Sequence, residues 1–311
     1  MITSRLIGRY DNGIRGPLVF CFGAMHGNEP AGVRAIELVL KMLDVEHIKN
    51  NDFLYKGRFV GLIGNLNAFN LQRRFIDKDM NRQFELENIN LLKSSTPSDA
   101  EDREILELIE LIEKEVQSYN PDKVIFLDLH TTSSHGGIFT ICRNDQTDID
   151  IALALHAPVV LGIAEGLKGT TLHYFNTENI GADTTCISFE SGQHEEGKSI
   201  NRAIAGIICL LRELGAVRPD DVENYHEVIL HEYAKGLPKL TKLVDHYGIK
   251  PDDKFVMQPG YENFQNIKKG QFLAINNKEK IEAQYDGRIL MPLYQKQGED
   301  GFFIIQDISI A

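Results

Sequence analysis

The stretch Cys21–Gly32, CFGAMHGNEPAG, decides how this chain is read. Just before and into it runs a short continuous apolar segment, Pro17–Phe22 (PLVFCF), rich in β-formers, as expected of a strand buried on both faces. Pro30 falls where the first turn of a helix tolerates a missing N–H, and Val33, Ile36, Leu40 and Leu43 follow at helical spacing. The spacing predicts strand, tight turn and helix in direct succession. That turn carries His26 and Glu29 at the carboxyl end of a strand, where open α/β sheets bind their ligands. A His and a carboxylate three residues apart in such a turn can reach one metal ion.

Working outward, Arg58–Gly64 (RFVGLIG) and Val124–Leu129 (VIFLDL) have the same buried-strand character. The second delivers His130 to its carboxyl end, with Asp128 on the same face. Between them Ile105, Leu108, Ile109, Ile112 and Val116 form the apolar stripe of a long helix predicted over Asp99–Ser118, with Ser98 as N-cap and Glu101 completing a capping box. A short strand (Ile138–Cys142) and a helix (Ile149–Leu155) follow, and Val159–Thr185 shows no clean period and is predicted as a glycine-spaced loop region. Thr185–Phe189 is a further strand ending on Glu190, and Ile200, Ile204, Ile207, Ile208 and Leu211 mark a last amphipathic helix stopped near Gly215. After Arg218–Asp221 (RPDD) the composition shifts to short β-like runs: Val228–Tyr233, Lys254–Met257, Gln271–Ile275, Gly287–Leu290 and Phe302–Gln306. The expected organisation is a catalytic domain over 1–217 and a mainly-β domain over 218–311.

Composition narrows the class. The chain has 311 residues, enough for a large core. Its net charge of −12, from 33 Lys and Arg against 45 Asp and Glu, argues against nucleic-acid and anionic-membrane partners. No apolar run approaches the roughly 18 residues of a spanning helix, and Met1–Asp11 is mixed and polar rather than a leader. Four scattered cysteines without a CxxC pair fit small buried hydrophobes in a reducing compartment, so a cytoplasmic location is expected.

Three strand ends thus carry His26 with Glu29, His130, and Glu190. Two His and a carboxylate around an open position are the ligand set of hydrolytic zinc sites, and a further carboxylate is then needed to take a proton from water. Glu190 can be that base, and Asp128 can orient a ligand. Each residue alone is as often structural; their joint placement on separate strand–turn units is what points to chemistry. The segment Arg73–Phe84 (RRFIDKDMNRQF) gathers Arg73, Arg74, Arg82 and Asn81 in an acidic protein. It suits either recognition of a carboxylate-bearing substrate or an internal ion-pair cluster with Asp77 and Asp79.

The motifs GAMHGNEPAG, RRFIDKDMNRQF, FLDLHTT and ISFESG, in this order, resemble those of the succinylglutamate desuccinylase/aspartoacylase family, within the zinc carboxypeptidase superfamily. ENFQNIKKGQFLA and DGRILMPLYQKQGEDGFF are similar to the family's small C-terminal β domain. The resemblance implies an α/β fold with a mixed central sheet flanked by helices, followed by a smaller β domain. It implies one Zn2+ held by His26, Glu29 and His130, with Arg74, Asn81 and Arg82 binding substrate or polarising its carbonyl. Glu190 would be the general base that activates water at the metal. The implied activity is hydrolysis of the amide of a small N-acyl amino acid, a carboxylate-bearing amide, and a homodimer is expected. A zinc carboxypeptidase acting on a peptide or cell-wall fragment is the alternative, decided by whether the C-terminal part caps the cleft. A binding module that kept the pocket without turnover is the non-catalytic alternative.

Overall fold

The computed structural model describes residues 2–308. Its strands, in chain order, are β1 (Leu6–Asp11), β2 (Ile14–Gly23), β3 (Lys56–Ile63), β4 (Lys123–Thr132), β5 (Phe139–Cys142), β6 (Val159–Leu161), β7 (Asp183–Gln193), β8 (Leu240–Gly248), β9 (Val256–Met257), β10 (Asn266–Ile267), β11 (Phe272–Asn276), β12 (Glu279–Glu282), β13 (Gly287–Leu290) and β14 (Asp300–Asp307). The helices are α1 (Ala31–Lys49), α2 (Leu66–Leu71), α3 (Leu86–Ser94), α4 (Ala100–Tyr119), α5 (Gln146–Leu153), α6 (Ile163–Gly166), α7 (Thr171–Tyr174), α8 (Thr177–Ile180), α9 (Lys198–Glu213) and α10 (Glu227–Ala234).

One sheet of eleven strands runs β1-β3-β2-β4-β7-β5-β6-β8-β14-β13-β10, and β12-β11-β9 form a small second sheet. β3, β2, β4 and β7 are mutually parallel, whereas β1 and β5 run antiparallel to their neighbours β3 and β7, so the sheet is mixed. Its centre is covered on both faces, which is why these strands are continuous apolar runs rather than alternating ones. Val19, Ile125 and Ile187 pack under Ile36 and Val39 of α1 and Ile204 and Ile207 of α9. On the opposite face Leu18, Phe20 and Phe126 lie under Ile105, Leu108 and Ile112 of α4, with the Phe20 and Phe126 rings stacked at 5.0 Å. The parallel arrangement sets the carboxyl ends of β2, β4 and β7 side by side.

Three local outcomes differ from expectation. The cap of α4 is Asp99, with Asp102 completing the capping box. Glu101 is turned inward instead, accepting from Asn65 Nδ2 and from the Ile76 and Asp77 N–H groups at 3.0, 2.7 and 3.0 Å. Val228–Tyr233 is not a strand but lies in α10, where Leu230 is buried and Val228 is 61% exposed. A six-residue apolar run fits either period, and here only one face finds a partner. The region 159–185 is not a bare loop; it folds into β6 and the one-turn helices α6, α7 and α8. β8 pairs in parallel with β6 and antiparallel with β14, so the large sheet takes strands from both sides of position 218.

The His26–Glu29 turn is seated by Gly27. Its N–H donates to the Arg74 carbonyl at 3.1 Å, and a Cβ there would collide with the Ala68 backbone in α2. Gly27→Ala is expected to lower stability by about 1–3 kcal/mol, read from denaturant unfolding; an unchanged midpoint would show that the turn can be displaced freely.

Candidate active site

β4 and β7 pair in register with His130 opposite Glu190, and the turn after β2 brings His26 and Glu29 to the same place. His26 Nδ1 lies 2.9 Å from Glu29 Oε1, and His130 Nδ1 lies 3.2 Å from Glu29 Oε2. One donor atom from each of the three residues falls within 4.8 Å of the others, and all three are buried. The Thr131 N–H donates to Glu29 Oε2 at 2.9 Å and fixes the carboxylate between the rings.

Each ring is backed on its far side. His26 Nε2 is 3.2 Å from Asp79 Oδ1. His130 Nε2 is 3.0 Å from Asp128 Oδ2, off the line of a well-directed hydrogen bond. Asp128 in turn accepts from Thr171 Oγ1 at 2.8 Å. Two imidazoles that present Nδ1 to one point and rest Nε2 against carboxylates have the form of metal-ligating histidines, whose second nitrogen is commonly held by an acidic group. The donor set of two imidazole nitrogens and a carboxylate oxygen fits a divalent ion of borderline softness. A second group, His156, Cys209 and Glu227, has donors as close, but Glu227 is already paired with Arg212 at 3.1 Å.

Electrostatics separate the carboxylates. Burial works against the charged form of Glu29, but His26 and His130 outweigh it and hold Glu29 well below the usual range. Burial likewise opposes the charge on His130, and Asp128 and Glu29 reverse the balance and raise it well above its ordinary value. Glu190 behaves oppositely: burial pushes it up to about 7, Glu29 adding to the rise and His130 opposing it. Its Oε2 has no hydrogen-bond partner among the described residues. A buried carboxyl without a partner, poised near neutrality at the rim of a metal-type donor cluster, has the properties of a proton carrier.

His26, Glu29, Arg74, Asn81, Arg82, His130 and Glu190 all line one cavity. Arg74 pairs with Asp79 at 2.9 Å and with Glu29 at 3.5 Å, and its Nε is buried without a partner among the described residues. Asn81 Oδ1 accepts from the Thr171 N–H at 2.9 Å, which leaves its amide nitrogen as the group it can offer. Arg82 is bound to Asp300 of β14. Sequence reasoning missed Asp79 as the support of His26. The one signal available was its place two residues before Asn81, whose N–H it accepts at 2.9 Å. It also missed the contribution of residues 291–303, whose role depends on how β14 is laid beside β8.

Known proteins share the sequence family and the fold of this chain. Residues 15–214 match the family described as succinylglutamate desuccinylase/aspartoacylase catalytic domain. The chain is 24% identical over 283 residues to succinylglutamate desuccinylase of Photorhabdus laumondii, covering 82% of this chain and 85% of that protein. It is 25% identical over 266 residues to a probable aspartoacylase of Trichodesmium erythraeum, covering 82% and 84%. Among solved structures, succinylglutamate desuccinylase of Vibrio parahaemolyticus superposes with a TM-score of 0.65 at 16% identity, over 96% of this chain and 84% of that one. The product-bound ectoine utilization protein EutE (DoeB) of Ruegeria pomeroyi superposes with a TM-score of 0.63 at 16% identity, over 94% and 86%.

The raised pKa of Glu190 has a stability consequence. Between its ordinary value of 4.5 and about 7 the folded state binds a proton that the unfolded state has lost, so this group's contribution to stability falls as pH rises through that interval. Glu190→Gln is expected to stabilise the metal-free protein at pH 8 by about 1–3 kcal/mol, and to have little effect near pH 4.5. Thermal or denaturant unfolding at the two pH values measures it; equal stabilities at pH 8 would contradict it.

Proposed function

The chain belongs to the succinylglutamate desuccinylase/aspartoacylase family, and on that premise we propose that it is a zinc-dependent hydrolase cleaving the amide bond of a small N-acyl amino acid. The observation that carries this reading is the convergence of His26, Glu29 and His130 beside the partnerless Glu190 carboxyl. The three residues would hold one Zn2+ there. When bound, that ion supplies a Lewis acid for the scissile carbonyl and makes a neighbouring water more acidic.

The chain's own groups account for the remaining steps. The Glu190 carboxyl takes the proton from the attacking water and returns it to the amine nitrogen as the C–N bond breaks. Arg74 lines the same cavity, and its guanidinium is suited to stabilise the negative charge that develops on the carbonyl oxygen. Asn81 offers its amide nitrogen for substrate, and Arg82 borders the pocket from the Asp300 side. Asp79 and Asp128 keep the two imidazoles aimed at the ion.

Residues between 291 and 303, among them Leu293, Gln295, Glu299 and Phe303, line the same cavity as the strand-end groups. A cleft bounded by these residues supports a small amide over a peptide.

The decisive experiment combines metal analysis with a hydrolysis screen over N-acyl amino acids. Glu190→Gln is expected to keep one zinc per chain and lose turnover by about 10²–10⁴-fold. Turnover at the unmodified rate with zinc bound would overturn the role given to Glu190. Asp79→Asn and Asp128→Asn are each expected to weaken zinc binding by about 10–100-fold, measured by competition with a chromogenic chelator.

A further inference from the structure

We propose that the substrate of this site carries an apolar group and at most one carboxylate, and that the apolar group seats in the cavity wall formed by residues 141–172 and 293–303. The proposal rests on the hydrolase reading above for its chemistry, and on the following observations for its selectivity.

Both guanidinium groups that line the cavity already have ion-pair partners. Arg74 is paired with Asp79 and Glu29. Arg82 is paired with Asp300 and donates to the Asn81 carbonyl at 2.7 Å. The Arg82–Asp300 pair is no loose surface contact, since the two side chains are only 15% and 16% exposed. Asp300 is held from its other side by His246 Nε2 at 2.7 Å, and the His246 ring lies flat on Phe303 with centroids 4.6 Å apart. Drawing Arg82 onto a substrate carboxylate would leave Asp300 without its cation in a half-dry site. No lysine lines the cavity among the described residues.

Apart from the charged groups, the two histidines, Asn81 and the hydroxyl- and amide-bearing Thr131, Thr132, Ser133, Thr170, Ser188 and Gln295, the wall is apolar. Ile141, Ile163, Leu167, Leu172, Leu293 and Phe303 all line the cavity. They come from β5, α6 and the residue after it, α7, the loop between β13 and β14, and β14 itself. Seating a four-carbon side chain there removes enough apolar area from water for a discrimination of about tenfold or more.

The apolar group can belong to the amino acid or to the acyl part, and the test separates the two. Zinc-loaded Glu190→Gln protein is titrated calorimetrically with N-acetyl-L-leucine, N-hexanoylglycine, N-acetyl-L-aspartate and N-succinyl-L-glutamate. At least one of the first two is expected to bind about tenfold or more tighter than either acidic compound, and the tighter of them identifies which side carries the apolar group. Equal or tighter binding of the acidic compounds, or no binding of any of the four, overturns the proposal. The same ranking read as kcat/KM on the unmodified enzyme is the second measure. Apolar compounds that bind in this order but are not hydrolysed with zinc present would sink the hydrolase reading and leave the pocket assignment standing. Asp300→Asn keeps an oxygen for His246 and frees Arg82; it is expected to shift the preference towards N-succinyl-L-glutamate by about tenfold. An unchanged preference would overturn the role of the Arg82–Asp300 pair.

Discussion

The rest of the site depends on one buried anion. Glu29 is 2% exposed and stands between two imidazoles, with its second oxygen also accepting from the Thr131 N–H. A carboxylate taken out of water is tolerated only where charges and donors surround it. That requirement explains the shells around it. His26 must face inward, and is turned by Asp79; His130 must do the same, and is backed by Asp128; Asp128 needs Thr171, and Asp79 needs Arg74. The chain of dependence runs through the turn after β2, strand β4, the loop bearing Arg74 and Asp79, and α7, so the donors cannot relax independently of one another.

That chain reaches further than the cavity. The loop that presents Arg74 and Asp79 is itself held by Glu101, a fully buried carboxylate at the start of α4 that accepts from the Ile76, Asp77 and Lys78 N–H groups. A residue that could have served as an ordinary helix-start carboxylate is used as an anchor, and the capping duty passes to Asp99 and Asp102. The helix dipole still favours a negative charge at that end, so the substitution of roles costs the helix little. Against these satisfied carboxylates stands Glu190, equally dry but with one oxygen unpartnered. The fold stabilises the groups that hold position and leaves unstabilised the one whose proton must move, the usual relation between a strained functional group and a well-braced scaffold.

Much of the framework of the candidate site was legible before the structure. Buried parallel strands betray themselves as continuous apolar runs, so β2, β3, β4 and β7 were visible, and with them the strand ends bearing His26, Glu29, His130 and Glu190. What stayed hidden shares a physical cause. β1 and β8 are half-buried strands with mixed faces, and their pairing partners are distant in sequence, so no local period marks them. The one-turn helices α6, α7 and α8 are too short to generate a period at all. In α10 the apolar run was real but only Leu230 found a core to enter. Asp79 was readable as an ion-pair partner, which it is for Arg74, while its hold on His26 needed two loops to be brought together.

The two halves of the site therefore have different origins. Bond-making groups sit at strand ends, where a motif and its spacing carry the meaning. Selectivity comes from segments such as 163–172 and 291–303, where Leu167 or Leu293 means nothing until β14 is laid beside β8 and the one-turn helices close over β5. Glu29 links the halves. Because it and Glu190 already place negative charge beside the reacting bond, and because Asp79 and Asp300 already hold the nearby guanidinium groups, the cavity can gain little by attracting a further anion. The free energy left for recognition is that of apolar contact, and the same electrostatic closure that keeps the donors in place determines what may enter beside them.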